Sequence, residues 1–129
     1  MKLVLYGRPI TKKNSQRIVK AGRFSKILPS KQFVEYEKSC LEQLKIHNKP
    51  TLNKQYNMKC IYYMPTRHRV DLVNLLEGTC DILVNAEVIE DDNCKIIGSH
   101  DGSKVLYDKE NPRVEVEFEE IKIESEYYN

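Results

Sequence analysis

Residues 71–85 read Asp71-Leu72-Val73-Asn74-Leu75-Leu76-Glu77-Gly78-Thr79-Cys80-Asp81-Ile82-Leu83-Val84-Asn85. Their phase decides how the chain is built. At about 100° per residue, Asp71, Asn74, Glu77, Asp81 and Asn85 fall within an arc of about 120°. Leu72, Leu75, Leu76, Cys80, Ile82 and Leu83 fill the opposite side. The stretch predicts an amphipathic helix with a core-facing apolar side and a narrow side of acids and amides. That narrow side holds no Lys or Arg, which surface helices usually mix in for pairing one turn apart.

Working outward, the flanking segments change period. Upstream, Gln55 to Met64 predicts a strand closed by Pro65, and the basic loop Arg67-His68-Arg69 leads into the helix. Further upstream, Pro29-Ser30 opens another helix with Ser30 as N-cap. Phe33, Val34, Glu37, Cys40, Leu41 and Leu44 form its mostly apolar stripe, which ends near His47-Asn48. Leu3 to Tyr6 predicts a first strand ended by Gly7-Arg8-Pro9. Downstream, Ile96 to His100 predicts a strand that Val105-Leu106-Tyr107 extends or pairs with, Asp101-Gly102 being a turn candidate. Val114, Val116 and Phe118 alternate with Glu115, Glu117 and Glu119 in a final half-buried strand that ends or bulges at Glu120. Strands mixed with two helices predict an α+β fold with a small mixed sheet, in one domain over residues 1–129 with a frayed tail at 124–129.

Charge divides the chain at the loop before Asp71. Residues 1–70 hold sixteen Lys/Arg against three Glu, and residues 71–129 hold five Lys/Arg against sixteen Asp/Glu. The formal net charge of +2 hides a basic half joined to an acidic one. Such a split suggests a polyanion met by the first half and a cation held by the second. Residues 8–31 are the basic extreme, an arm or hairpin in which Lys12, Lys13, Arg17, Lys20, Arg23 and Lys26 repel one another unless an anion neutralises them. With Arg67 and Arg69 they are the candidate nucleic-acid contacts.

Composition narrows the class. Hydrophobic residues make up 40% and charged residues 31% of 129 residues, a globular balance. No apolar run approaches the roughly 18 residues of a membrane span, and Met1 to Tyr6 is too short for a signal peptide, so a cytoplasmic protein is expected. Cys40, Cys60, Cys80 and Cys94 lack the close pairing of zinc ligands and are expected to be buried thiols. There is no phosphate-loop glycine pattern, no GxSxG and no HExxH, and nothing calls for a small-molecule cofactor.

Three consecutive acids, Glu90-Asp91-Asp92, lie about twenty residues after Asp71. Carboxylates from separate elements beside a basic surface suit Mg²⁺-dependent phosphodiester cleavage, because Mg²⁺ takes oxygen ligands, keeps several waters and activates one. A calcium site or a purely structural acid cluster has the same sequence signature.

Taken together, Met64-Pro65 followed by Asp71-Leu72-Val73-Asn74-Leu75, then Asp81-Ile82-Leu83, then Val88-Ile89-Glu90-Asp91-Asp92 resemble the RusA family of Holliday junction resolvases, small endodeoxyribonucleases common in phages and prophages. Gly7-x-Pro9-x-x-Lys12 and Arg113-Val114-Glu115-Val116 are similar to the family's two ends, so the resemblance spans roughly residues 3–122. It implies a homodimer that binds four-way DNA junctions in recombination and repair. It also implies symmetric cutting with Mg²⁺, for which Mn²⁺ substitutes. Carried over residue by residue, it implies Asp71 and the Asp91-Asp92 pair as metal ligands, with Asp92 the catalytic carboxylate and Asn74 the motif's amide.

Two positions depart from that pattern. Val73 stands where the family has a second Asp, and Glu77 stands where it has a Lys. Val73 and Glu77 are one turn apart, so one reading has Glu77 reaching back to the metal as the missing carboxylate, a catalytic ligand with Asp71 and Asp92. The other has a decayed site and a protein that binds junctions without cutting them.

Overall fold

The computed structural model describes residues 1–12, 17–22, 24–28 and 30–122, with 17–21 and 24–27 described through their backbone alone. The expected tail and the side chains of Lys13, Arg17, Lys20, Arg23 and Lys26 lie outside the described residues. The elements run β1 (Lys2–Tyr6), β2 (Arg17–Ala21), β3 (Phe24–Leu28), α1 (Lys31–Leu44), β4 (Tyr56–Met64), α2 (Leu72–Asn85), β5 (Ile97–Ser99), β6 (Lys104–Tyr107) and β7 (Arg113–Glu120). The fold is α+β, a five-stranded mixed sheet with two helices and a separate two-stranded ribbon.

The sheet follows from alternation. Met58, Cys60, Tyr62 and Met64 of β4 are buried, as are Val114, Val116 and Phe118 of β7. The antiparallel register sets Met58 opposite Phe118 and Cys60 opposite Val116, so both sets share one face. Leu5 of β1, opposite Val114, adds to that face. The helices cover it with Phe33, Tyr36, Cys40 and Leu44 from α1 and Leu75, Leu76, Cys80, Ile82 and Leu83 from α2. The other face carries charges, including Lys2–Glu115 at 3.2 Å and Lys59–Glu117 at 3.5 Å.

One expectation is narrowed and two are corrected. Val105-Leu106-Tyr107 extends the line of the preceding strand rather than pairing with it: β5 and β6 both run parallel to β4 on one of its edges, β5 beside its start and β6 beside its end. Gly102, at φ +86°, makes the turn between them. Val34 is exposed, and Tyr36 takes its place in the α1 stripe. Cys94 is exposed, unlike the other three cysteines, because it comes after the acidic loop rather than lying on a core face. Burial pushes the Cys40 thiol up to about 11 and those of Cys60 and Cys80 to about 12.

In the basic stretch, β2 and β3 pair as an antiparallel hairpin from Arg17–Leu28 to Ala21–Phe24, with Gly22 in its turn at φ +65°. No helix among the described residues is long and apolar enough to cross a membrane.

Candidate active site

Both helices begin at the residues the sequence marks. The Ser30 hydroxyl accepts from the Phe33 N–H at 3.1 Å, and the Asp71 carboxylate accepts from the N–H groups of Val73 at 2.9 Å and Asn74 at 3.3 Å. Asp71 is therefore the N-cap of α2, a carboxylate at the positive end of the helix dipole. A buried clamp fixes α2 on the sheet, with the Tyr62 hydroxyl 2.7 Å from the Thr79 hydroxyl, which donates to the Leu75 carbonyl.

The segment after β1 is packed against the same helix. The Gly7 N–H donates to the Pro112 carbonyl, and Pro9 and Thr11 are buried. A Cβ added at Gly78 would lie 3.1 Å from Phe33 Cε1 and 3.7 Å from the Ile10 carbonyl. The absent side chain makes room for the Phe33 ring of α1, while the Ile10 carbonyl passes at ordinary contact distance. Two residues later, Lys12 Nζ donates to Asp81 Oδ2 at 3.0 Å, with both side chains about one-third exposed. The hydrogen bond and charge of Asp81 hold the Lys12 ammonium above the ordinary lysine value, with further help from Glu37 and Glu77.

The end of α2 aims the acidic loop. The Glu87 N–H donates to the Val84 carbonyl and the Val88 N–H to the Leu83 carbonyl, a Schellman closure with Glu87 at φ 59°. Val88 and Ile89 then turn into the core, and Ile89 bridges to Leu52. Asp91 organises the rest of the loop: its carboxylate accepts from the Asp92 N–H at 2.8 Å and from the Asn93 side-chain amide at 3.0 Å, which holds it below the usual carboxylate range. Asp92 is shifted the opposite way. Partial burial, then the hydrogen bond and charge of Asp91, then the charge of Asp81 raise it.

These elements border an open cavity of about 290 Å³ lined by Lys12, Asp81, Val84, Asn85, Asp91 and Asp92. A second, basic cavity of about 230 Å³ holds Arg8, His68 and Arg69 with Pro9, Ile10, Thr11 and Gln32 among its walls. Residues 8–11 line the basic cavity and Lys12, the next residue, lines the acidic one.

Of the expected site residues, the acidic cavity unites Lys12, Asp91 and Asp92. Asp71 stays at the start of α2 and does not line it. Glu77 lies one turn before Asp81, near enough to act on the Lys12 charge. Arg67 stacks over the Tyr107 ring at 4.1 Å, and Arg69 lines the basic cavity. Asp81 was not among the expected ligands, although it sits on the same polar arc as Glu77. Among the described residues no three His, Cys, Asp or Glu side chains stand close enough to hold a metal ion as they lie. The donors nonetheless suit Mg²⁺: they are all carboxylate or amide oxygen, in a space with room for water, and Mg²⁺ binds through one or two carboxylates while keeping most of its waters.

A family model described as endodeoxyribonuclease RusA matches residues 7–119, most of the chain. No curated protein matches it significantly.

Proposed function

Because the chain belongs to the endodeoxyribonuclease RusA family, we propose that it is a Mg²⁺-dependent nuclease that resolves four-way DNA junctions as a homodimer. The observation that carries this reading is the cavity where Asp81 of α2, Asp92 of the loop after it and Lys12 of the basic half meet. A phosphodiester cutter needs carboxylates for a cation and cations for the phosphates, and this chain supplies both at one place.

The local chemistry orders the carboxylates. Asp91 is engaged by its own loop and Asp81 by Lys12, so Asp92, raised by partial burial and then by Asp91 and Asp81, would hold the metal most directly. Glu77 and Asp71 are the proposed further ligands along the polar face of α2. When bound, Mg²⁺ supplies an activated water and stabilises the departing oxygen. The chain's own part is to bind and orient the strand. The basic cavity with Arg8, His68 and Arg69 takes a phosphate next to the cut, and the packed 7–12 segment fixes its distance from the acids. A C2 dimer presents two such sites to a junction with two equivalent strands.

The test is a nicking assay on a synthetic four-way junction with Mg²⁺, Mn²⁺ or EDTA, together with sedimentation. Paired symmetric nicks that need the metal, from a species of twice the chain's mass, are expected. Tight junction binding without nicks in either metal identifies a junction-binding protein instead.

A further inference from the structure

We propose that Lys12 is a catalytic residue, whose ammonium contacts the phosphate being cut, and that Asp81 is the positioning residue that aims it. The inference rests on the nuclease reading and goes beyond it by moving Lys12 from the general DNA-binding stretch to the cutting site.

Among the described residues lining the acidic cavity, Lys12 is the one cation, and the other charged walls are Asp81, Asp91 and Asp92. A phosphodiester anion entering that space meets carboxylate repulsion, which a fixed ammonium offsets at the point of entry. The position of that ammonium is set on both sides. Its backbone ends a segment pinned by the Gly7–Pro112 hydrogen bond and by buried Pro9 and Thr11, and its tip is held 3.0 Å from Asp81. With about a third of each side chain exposed, the pair is open to a ligand from solvent.

The same pairing makes Lys12 a poor general grip on DNA. Next to Asp81 its charge is largely cancelled at long range, so it adds little to the attraction of a distant backbone. It acts on a phosphate brought within contact. Removing Lys12 should therefore slow cutting by bound enzyme and leave binding nearly intact. An ordinary phosphate contact would do the reverse.

The experiment measures two quantities for wild type, Lys12→Met, Lys12→Arg, Asp81→Asn and the Lys12→Met/Asp81→Asn double variant. One is the single-turnover nicking rate at saturating junction with Mg²⁺. The other is junction Kd in EDTA, where nothing is cut and only folded protein binds. Lys12→Met is expected to lose about 10²–10³ in saturating rate, the scale for removing one preorganised electrostatic contact, with Kd in EDTA changed less than about threefold. Lys12→Arg should keep a rate within about tenfold of wild type. Asp81→Asn should lose about tenfold, and no further loss should appear when it is added to Lys12→Met, because residues acting as a unit are not additive.

A Lys12→Met rate equal to wild type overturns the role of Lys12, whatever its Kd. Full additivity of the two changes overturns the role of Asp81. Should Lys12→Met fail to bind in EDTA, the Lys12→Arg and Asp81→Asn rates decide, and wild-type rates in both count against the proposal. A wild type that nicks with neither metal overturns the nuclease reading itself, and this inference with it.

Discussion

At the residue scale, Asp71 and Asp92 differ in a way that substitution exposes. Asp71 caps α2, and asparagine caps about as well, so Asp71→Asn should leave thermal stability nearly unchanged and abolish metal-dependent nicking. Asp71→Ala should lose the nicking and also about 1 kcal/mol of stability, read from chemical denaturation. Asp92→Asn removes a carboxylate that partial burial and the neighbouring Asp91 and Asp81 disfavour, so it should abolish nicking with binding unchanged or tighter. Nicking retained in both Asn variants would make these carboxylates structural. Glu77 poses the sharper question. Val73 is 68% exposed, so an acid there does not enter the core and sits favourably in the first turn of the helix. Val73→Asp should shift stability by no more than about 0.5 kcal/mol. Glu77→Gln is then expected to cost as much activity as Asp71→Asn, and Val73→Asp with Glu77→Lys to restore it. A Glu77→Gln enzyme cutting at the wild-type rate removes Glu77 from the site. The acid run made Asp91 and Asp92 legible as walls of the acidic cavity, and Asp71 was legible as the start of α2. Asp81 was legible only as a member of the polar arc. The Lys12–Asp81 pair was not legible, because its partners are 69 residues apart and Lys12 sits in a run of cations that reads as one solvated stretch.

At the element scale, the two helices and the strands β4 and β7 were legible, because their caps and alternation are local. The placement of β5 and β6 was not. Asp101-Gly102 looks like a hairpin turn, and only the free edge of β4 decides that both short strands dock there in the same direction. The closure of α2 was also hidden, since its left-handed position holds Glu87 rather than glycine. A residue with a Cβ costs about 1–2 kcal/mol in that conformation, and the Thr51 hydroxyl bonding the Glu87 carbonyl at 2.7 Å helps to hold it. Glu87→Gly should therefore stabilise the protein by about 0.5–1 kcal/mol in denaturant titration, after the added freedom of the unfolded chain is subtracted. Because this closure aims the acidic loop at Lys12, the nicking rate should stay at the wild-type value. A destabilised variant would show that the Glu87 side chain makes a contact worth more than the strain.

At the scale of the whole molecule, the charge split shows itself in two titrations. The charged face of the sheet centres on Arg113, which pairs with Glu115 at 2.8 Å and Asp108 at 3.0 Å and stacks over Tyr63 at 3.8 Å. Those bonds hold both carboxyls below their ordinary values. A depressed carboxylate lends stability that is fully present above its unfolded-state value, 4.5 for Glu115 and 3.8 for Asp108, and that is lost as pH falls through the lowered folded value. Glu115→Gln should flatten the fall of melting temperature below about pH 5, and an unchanged acid limb would mean that these pairs contribute nothing. Salt tests the other half. The acids of residues 71–129 are partly matched inside the fold, by Lys2, Lys12, Lys54, Lys59 and Arg113, so cations used there are withdrawn from DNA. The expected phosphate contacts are the residue 13–31 stretch with Arg8, Arg67 and Arg69. If that set neutralises six to ten phosphates, junction affinity in EDTA should fall by about 10³–10⁵ between 50 and 200 mM salt. Reversing Arg8 and Arg69 to Glu should lower the slope of log K against log salt, whereas Lys12→Met, already paired, should leave that slope in place. A flat salt response in the wild type would mean that the basic half faces something other than a nucleic-acid backbone.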